Sequence, residues 1–158
     1  MRTFMLICLM VLVAAGGRIK TAQAEILDNE KVTSPKGISA WLVHDETVPV
    51  VAIRFAFRGA GAINDTLELQ GLSQMLSNTL DEGAGDMDSK AFQSTLENNS
   101  ISLSFSSGRD DFGGSLLTLT KYQDTAFSLL HLALTKPRFD ADALARMKEA
   151  NLSRLRSQ

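Results

Sequence analysis

Cysteine is almost absent from this chain of 158 residues, with Cys8 the only one. Histidine is nearly as scarce: there are two, His44 and His131, far apart and expected on a strand and a helix. Structural roles are favoured for both over metal ligation. Cys8 sits inside an N-terminal apolar stretch and follows bulky Ile7, the wrong context for a lipoprotein cysteine. If that stretch is removed, no disulfide, thiolate metal site or cysteine nucleophile remains. Long hydrophobic runs are missing too. The longest, Phe4 to Ala15, has 12 residues, against the ~20 that a membrane-spanning helix needs.

That run reads instead as the core of a secretory signal. Arg2 gives it a positive start, and small residues lead to Ala22-Gln23-Ala24, an A-x-A cleavage site. Residues 1–24 are therefore expected to be a signal peptide, with a retained anchor as the alternative. The rest, 25–158, is expected to be one domain, large enough for a real core. The first 24 residues carry three basic side chains and no acidic ones, which leaves 13 basic against 18 acidic, a net of −5. Nucleic acid and anionic membrane surfaces are thus disfavoured as partners. A short signal without later cysteine suits a bacterial periplasm.

The remaining pattern groups strands and helices rather than alternating them. Lys31–Thr33, Ile38–His44 and Val50–Arg58 read as strands, joined by Ser34-Pro35-Lys36-Gly37 and Asp45–Pro49 into a β-meander. Gly59-Ala60-Gly61 ends it, and without a completing G-x-x-G it reads as a plain loop. A helix is expected over Thr66–Leu80, with Leu69, Leu72, Met75, Leu76, Thr79 and Leu80 on its apolar face and Gln74, Ser77 and Asn78 on the other. A second follows to about Asn98, capped by Asp88 or Ser89. Two strands flank the Gly108–Asp111 turn. A helix over Tyr122–Leu134 and another capped by Asp140 close the chain. This order predicts an α+β fold, a largely antiparallel sheet packed by helices on one face. The chain stops at Gln158 in mid-helix, which reads as truncation at the C-terminal end.

Several motifs fall short. Gly71-Leu72-Ser73-Gln74-Met75 fails G-x-S-x-G at its last position. Arg109-Asp110-Asp111 reads as a solvated turn. Asn64-Asp65-Thr66, Asn98-Asn99-Ser100 and Asn151-Leu152-Ser153 match a glycosylation sequon without meaning in a bacterium.

The stretch Gly71-Leu72-Ser73-Gln74-Met75-Leu76-Ser77-Asn78, followed by the acidic, Gly-rich Asp81-Glu82-Gly83, resembles the zinc helix of the pitrilysin or insulinase-like (M16) peptidases. Their pattern is Gly-Leu-Ala-His-x-x-Glu-His. Flanking segments resemble the processing-peptidase-like group as well: Pro35-Lys36-Gly37-Ile38 with Leu42-Val43-His44-Asp45, Val48-Pro49-Val50-Val51 with Arg58-Gly59-Ala60-Gly61, and Pro137-Arg138-Phe139 before an amphipathic helix. The resemblance covers about residues 30 to 158. It puts Gln74 and Asn78 where the family has histidine ligands and Ser77 where it has the catalytic glutamate. Counting about 76 positions onward puts Arg154 at the third ligand.

Amides and a guanidinium are poor company for a divalent ion, so no catalytic, metal or cofactor-binding residue is expected here. Zinc is expected only in a partner subunit. A polar cluster of Gln74, Asn78 and Arg154, filling the metal's space, is weighed against solvated side chains on two helices. The resemblance then implies a non-catalytic subunit pairing with a zinc-bearing M16 chain around a peptide substrate. A periplasmic scaffold with no part in proteolysis is the alternative. A peptidase using unrelated residues is disfavoured because no nucleophile–base pair is evident.

Overall fold

In the computed structural model of the protein, residues 29–157 are described. The expected signal peptide lies outside them. The chain divides into two units, 1–46 and 47–158. In the first, β1 (Asn29–Thr33) and β2 (Ser39–Val43) form an antiparallel hairpin in the register Asn29↔Val43 to Thr33↔Ser39. Its turn is the expected Ser34–Gly37 segment, with the Gly37 amide donating to the Ser34 carbonyl at 2.9 Å.

The second unit holds a three-stranded antiparallel sheet in the order β3-β5-β4. β3 is Val50–Arg58, β4 Ser102–Ser107 and β5 Asp111–Leu119. The expected meander is therefore not formed. β3 joins a different sheet from β1 and β2, pairing with β5 from Val50↔Leu119 to Arg58↔Asp111. The two strands are each nine residues long and match apolar positions side by side, whereas β2 offers only five residues.

Register puts Ile53, Leu116 and Leu103 on one face, followed by Phe55, Gly114 and Phe105. That face is apolar and carries the core. Phe92 and Leu96 of the helix α2 (Ser89–Asn98) pack there with Ala126, Leu129 and Ala133 of α3 (Gln123–Thr135). The opposite face shows Arg54, Ser104, Ser115 and Ala56, and the Ser104 and Ser115 hydroxyls share a hydrogen bond of 2.9 Å. Sheet and helices thus build the expected α+β arrangement. α2 starts as expected, its Ala91 amide donating to the Asp88 carboxylate at 2.8 Å. α4 (Ala141–Arg156) follows Asp140, but that carboxylate pairs with Arg138 at 2.7 Å rather than capping the helix.

The loop after β3 is locked to the β4–β5 turn. Gly59, Ala62 and Ile63 amides donate to the carbonyls of Asp110, Gly108 and Arg109 at 2.7–2.9 Å. Gly61 lies so close that a Cβ there would meet the Arg109 and Gly108 carbonyl oxygens and the Asp111 amide at 2.6 Å.

Candidate functional site

The helix expected over Thr66–Leu80 is much shorter. Ala62–Asn64 and Leu67–Leu69 are single 3-10 turns, and the α-helix proper, α1, runs only over Leu72–Ser77. Two residues break it. Gly71 takes φ 87°, a left-handed conformation that glycine adopts without penalty. The Asp65 carboxylate accepts from the Gly71 amide at 3.1 Å and from the Ser73 amide and hydroxyl at 3.1–3.3 Å, drawing the preceding loop onto the helix start.

The buried face also differs from expectation. Ser73 and Ser77 are buried with Thr79 and Leu80, Ser77 to 3 % exposure, while Leu69 and Leu72 are 54 % exposed and Leu76 is partly exposed. Serine tolerates burial here because both hydroxyls are satisfied locally, Ser73 by Asp65 and Ser77 by the Gln74 carbonyl at 2.8 Å.

Gln74, Ser77 and Asn78 are brought together. The Gln74 Nε2 donates to Ser77 Oγ at 3.2 Å and to Asn78 Oδ1 at 3.3 Å. Asn78 Nδ2 then donates across to α4, reaching Asn151 Oδ1 at 2.6 Å. Asn151 Nδ2 closes the group on Met75 Sδ at 3.6 Å. The expected cluster of Gln74, Asn78 and Arg154 therefore forms with a different third member. Arg154 is exposed and its guanidinium makes no hydrogen bond or ion pair among the described residues. Asn151 lies one helical turn earlier, and residues three apart on a helix share a face. The signal that could have found it is that periodicity, allowed one turn of slack in the count from Asn78.

A second tie joins α4 to the segment after α1. Arg146 reaches Glu82 Oε2 at 2.7 Å, Ser89 Oγ donates to the same oxygen at 2.7 Å, and Asp142 pairs with Arg146 at 3.3 Å. Beside them lies a cavity of about 220 Å³ whose lining mixes polar residues, among them Asn78, Asp81 and Asn151, with Phe105, Met147 and Ala150. Burial pushes the Asp81 carboxyl above its ordinary range. A hydrogen bond from its backbone offsets part of that shift, and the Glu82 charge adds to it.

The chemistry of the donor set does not fit zinc. At positions 74, 77, 78 and 151 stand neutral amides and a hydroxyl already engaged with one another, where a zinc hydrolase uses imidazole, carboxylate and thiolate. His44 follows β2 and His131 is exposed on α3. Ser73 is held by Asp65, with no imidazole at its hydroxyl.

No protein-family model matches the chain. It is 29% identical over 133 residues to the non-peptidase homolog YmxG of Helicobacter pylori, covering 84% of this chain and 30% of that one. Its fold is that of an M16 peptidase inactive domain from Pseudomonas fluorescens, with a TM-score of 0.74 at 24% identity over 84% of this chain and 32% of that one. A protease from Helicobacter pylori matches at a TM-score of 0.65 and 15% identity, over 79% and 30%. The chain spans about a third of the length of these relatives.

Proposed function

We propose that this M16-like domain is a non-peptidase component that binds polypeptide and presents it to a zinc-bearing partner subunit, in the periplasm. One observation carries the reading. The residues at the motif positions, Gln74, Ser77 and Asn78, are engaged in an amide and hydroxyl network with Asn151. Such a network rigidifies a polar interior when every member is satisfied, and among the described residues no buried side-chain nitrogen or oxygen lacks a partner. The similarity to a protein named as a non-peptidase homolog supports the same conclusion.

Polypeptide binding has a physical route on this scaffold. β4 is an edge of its sheet, beside the cavity that Ser104 and Asn78 line. An edge strand offers unpaired N–H and C=O groups to which an extended chain can add as a further strand.

The test is affinity purification of the native protein from its own cells. A co-purifying chain with an intact H-x-x-E-H helix, and peptidase activity in the pair but in neither component alone, supports the reading. A stable partner without that motif, and no proteolysis from the complex, supports the scaffold alternative and removes this one.

A further inference from the structure

Sulfur chemistry in the described residues belongs to methionine alone, since the chain's one cysteine, Cys8, precedes them. Three methionines fall among these residues, and each sits differently. Met87 packs against the core, and the Thr95 hydroxyl 3.9 Å from its sulfur is directed at 2.7 Å to the Ala91 carbonyl. Met147 lines the small cavity with Asn78 and Asn151. Met75 joins the amide network itself. Its Sδ accepts from Asn151 Nδ2 at 3.6 Å, while Asn151 Oδ1 takes the 2.6 Å bond from Asn78.

The Asn151 amide is thus shared between a sulfur on α1 and an amide at the end of α1. A thioether is a weak acceptor, so the bond to Asn78 sets where the amide points. Met75 is half-buried and borders open space. Hydrogen peroxide, little larger than water, reaches such a sulfur without any opening of the fold.

We infer that Met75 is a redox-sensitive site, oxidised by a peroxide to its sulfoxide, and that the Asn151 amide reads the change. The sulfur gives up two electrons and takes one oxygen. The peroxide O–O bond breaks, and its second oxygen leaves as water. A flexible apolar side chain becomes a polar one, with an oxygen acceptor where a sulfur stood. An N–H donor bonds oxygen at about 2.7–3.2 Å, closer than the present 3.6 Å to sulfur. Turning the Asn151 amide to meet that oxygen draws its Oδ1 away from Asn78 Nδ2. Oxidation therefore loosens the tie between α1 and α4. Methionine sulfoxide is reduced enzymatically, so the loosening is reversible. The inference holds whether or not the domain serves a zinc-bearing chain.

The whole chain is treated with hydrogen peroxide while folded. Peptide mass spectrometry assigns sulfoxide to each methionine, and urea denaturation follows stability. Met75 is expected to oxidise ahead of Met87, and the unfolding constant to rise about fivefold, the factor that one part-buried hydrogen bond supplies. Methionine sulfoxide reductase with its thiol reductant should restore the parent. Met75→Leu should remove the oxidation-linked loss, since leucine fills a similar volume and carries no sulfur. In Asn151→Ala the same oxidation should leave stability almost unchanged, which separates a signal through the amide from the general cost of a polar sulfur. Met75 staying reduced while Met87 or Met147 oxidises overturns the inference. So does an oxidation-linked loss in Met75→Leu or Asn151→Ala equal to that of the parent.

Discussion

Removing the Asn151 side chain tests whether the network spanning α1 and α4 is what holds these two helices together. The bond from Asn78 Nδ2 to Asn151 Oδ1 is 2.6 Å long and part-buried. Asn151→Ala removes the acceptor and leaves the Asn78 donor facing a cavity, and also frees Met75 Sδ. A satisfied hydrogen bond of this type contributes about 1 kcal/mol, and an orphaned buried donor costs about 1–3 kcal/mol. Partial access to water from the adjoining cavity puts the expected loss near 2 kcal/mol. Asn78→Ala alone should cost about the same. The double variant should cost less than the two added, with a coupling of about 0.5–1.5 kcal/mol. Arg154→Ala, in contrast, should stay within about 0.5 kcal/mol of the parent, as surface changes do. Urea denaturation followed by circular dichroism measures all four. Additive losses from Asn78 and Asn151, or a larger loss from Arg154→Ala than from Asn151→Ala, would refute the reasoning.

Gly61→Ala should destabilise by about 1–3 kcal/mol or more, because its Cβ meets backbone atoms at 2.6 Å on three sides and backbone cannot step aside; thermal denaturation reads it. Asp81 has a folded pKa raised by burial, so the folded state holds its proton more tightly and stability is lost as pH rises from the ordinary carboxylate pKa through the raised value. Asp81→Asn should remove that slope and raise the neutral-pH melting temperature; an unchanged pH–stability profile would count against the assignment. Arg146→Ala should cost only about 1 kcal/mol, since the arginine is half-exposed, and proteolysis of the α4 terminus should accelerate with it. Restoring Gln74→His, Ser77→Glu and Asn78→His should produce zinc binding by calorimetry when combined with Asn151→Glu. Completion of the site by Arg154→Glu instead would place the third position one turn later than the hydrogen bonds do.

The parts of the fold that depend on neighbours in sequence were legible. The β1–β2 turn, the Asp88 cap, the β4–β5 hairpin and the two C-terminal helices all carry local signals within a few residues. The pairing of β3 was not, because its partner β5 begins 53 residues after β3 ends and no local feature distinguishes that strand from β2. The helix around Gln74 was overextended for a different reason. Leucine spacing over Thr66–Leu80 fits a helical stripe, but Asp65 captures the Gly71 and Ser73 amides and Gly71 turns left-handed, so the stripe is broken, Leu69 and Leu72 are left exposed and Leu80 alone of its leucines is buried. Three members of the site, Gln74, Ser77 and Asn78, are legible from the motif. Asn151 was missed because a linear count lands on a residue, whereas contact across two helices is settled by face, and position 151 shares its face with 154.

The most direct test of the account is a cleavage assay with the purified protein alone, zinc added in excess, against a pool of unfolded peptides read by mass spectrometry. Every peptide should survive intact. Cleavage that travels with the purified chain and vanishes in Asn78→Ala would contradict the account at its centre, by giving back to this network the chemistry it is held to have lost.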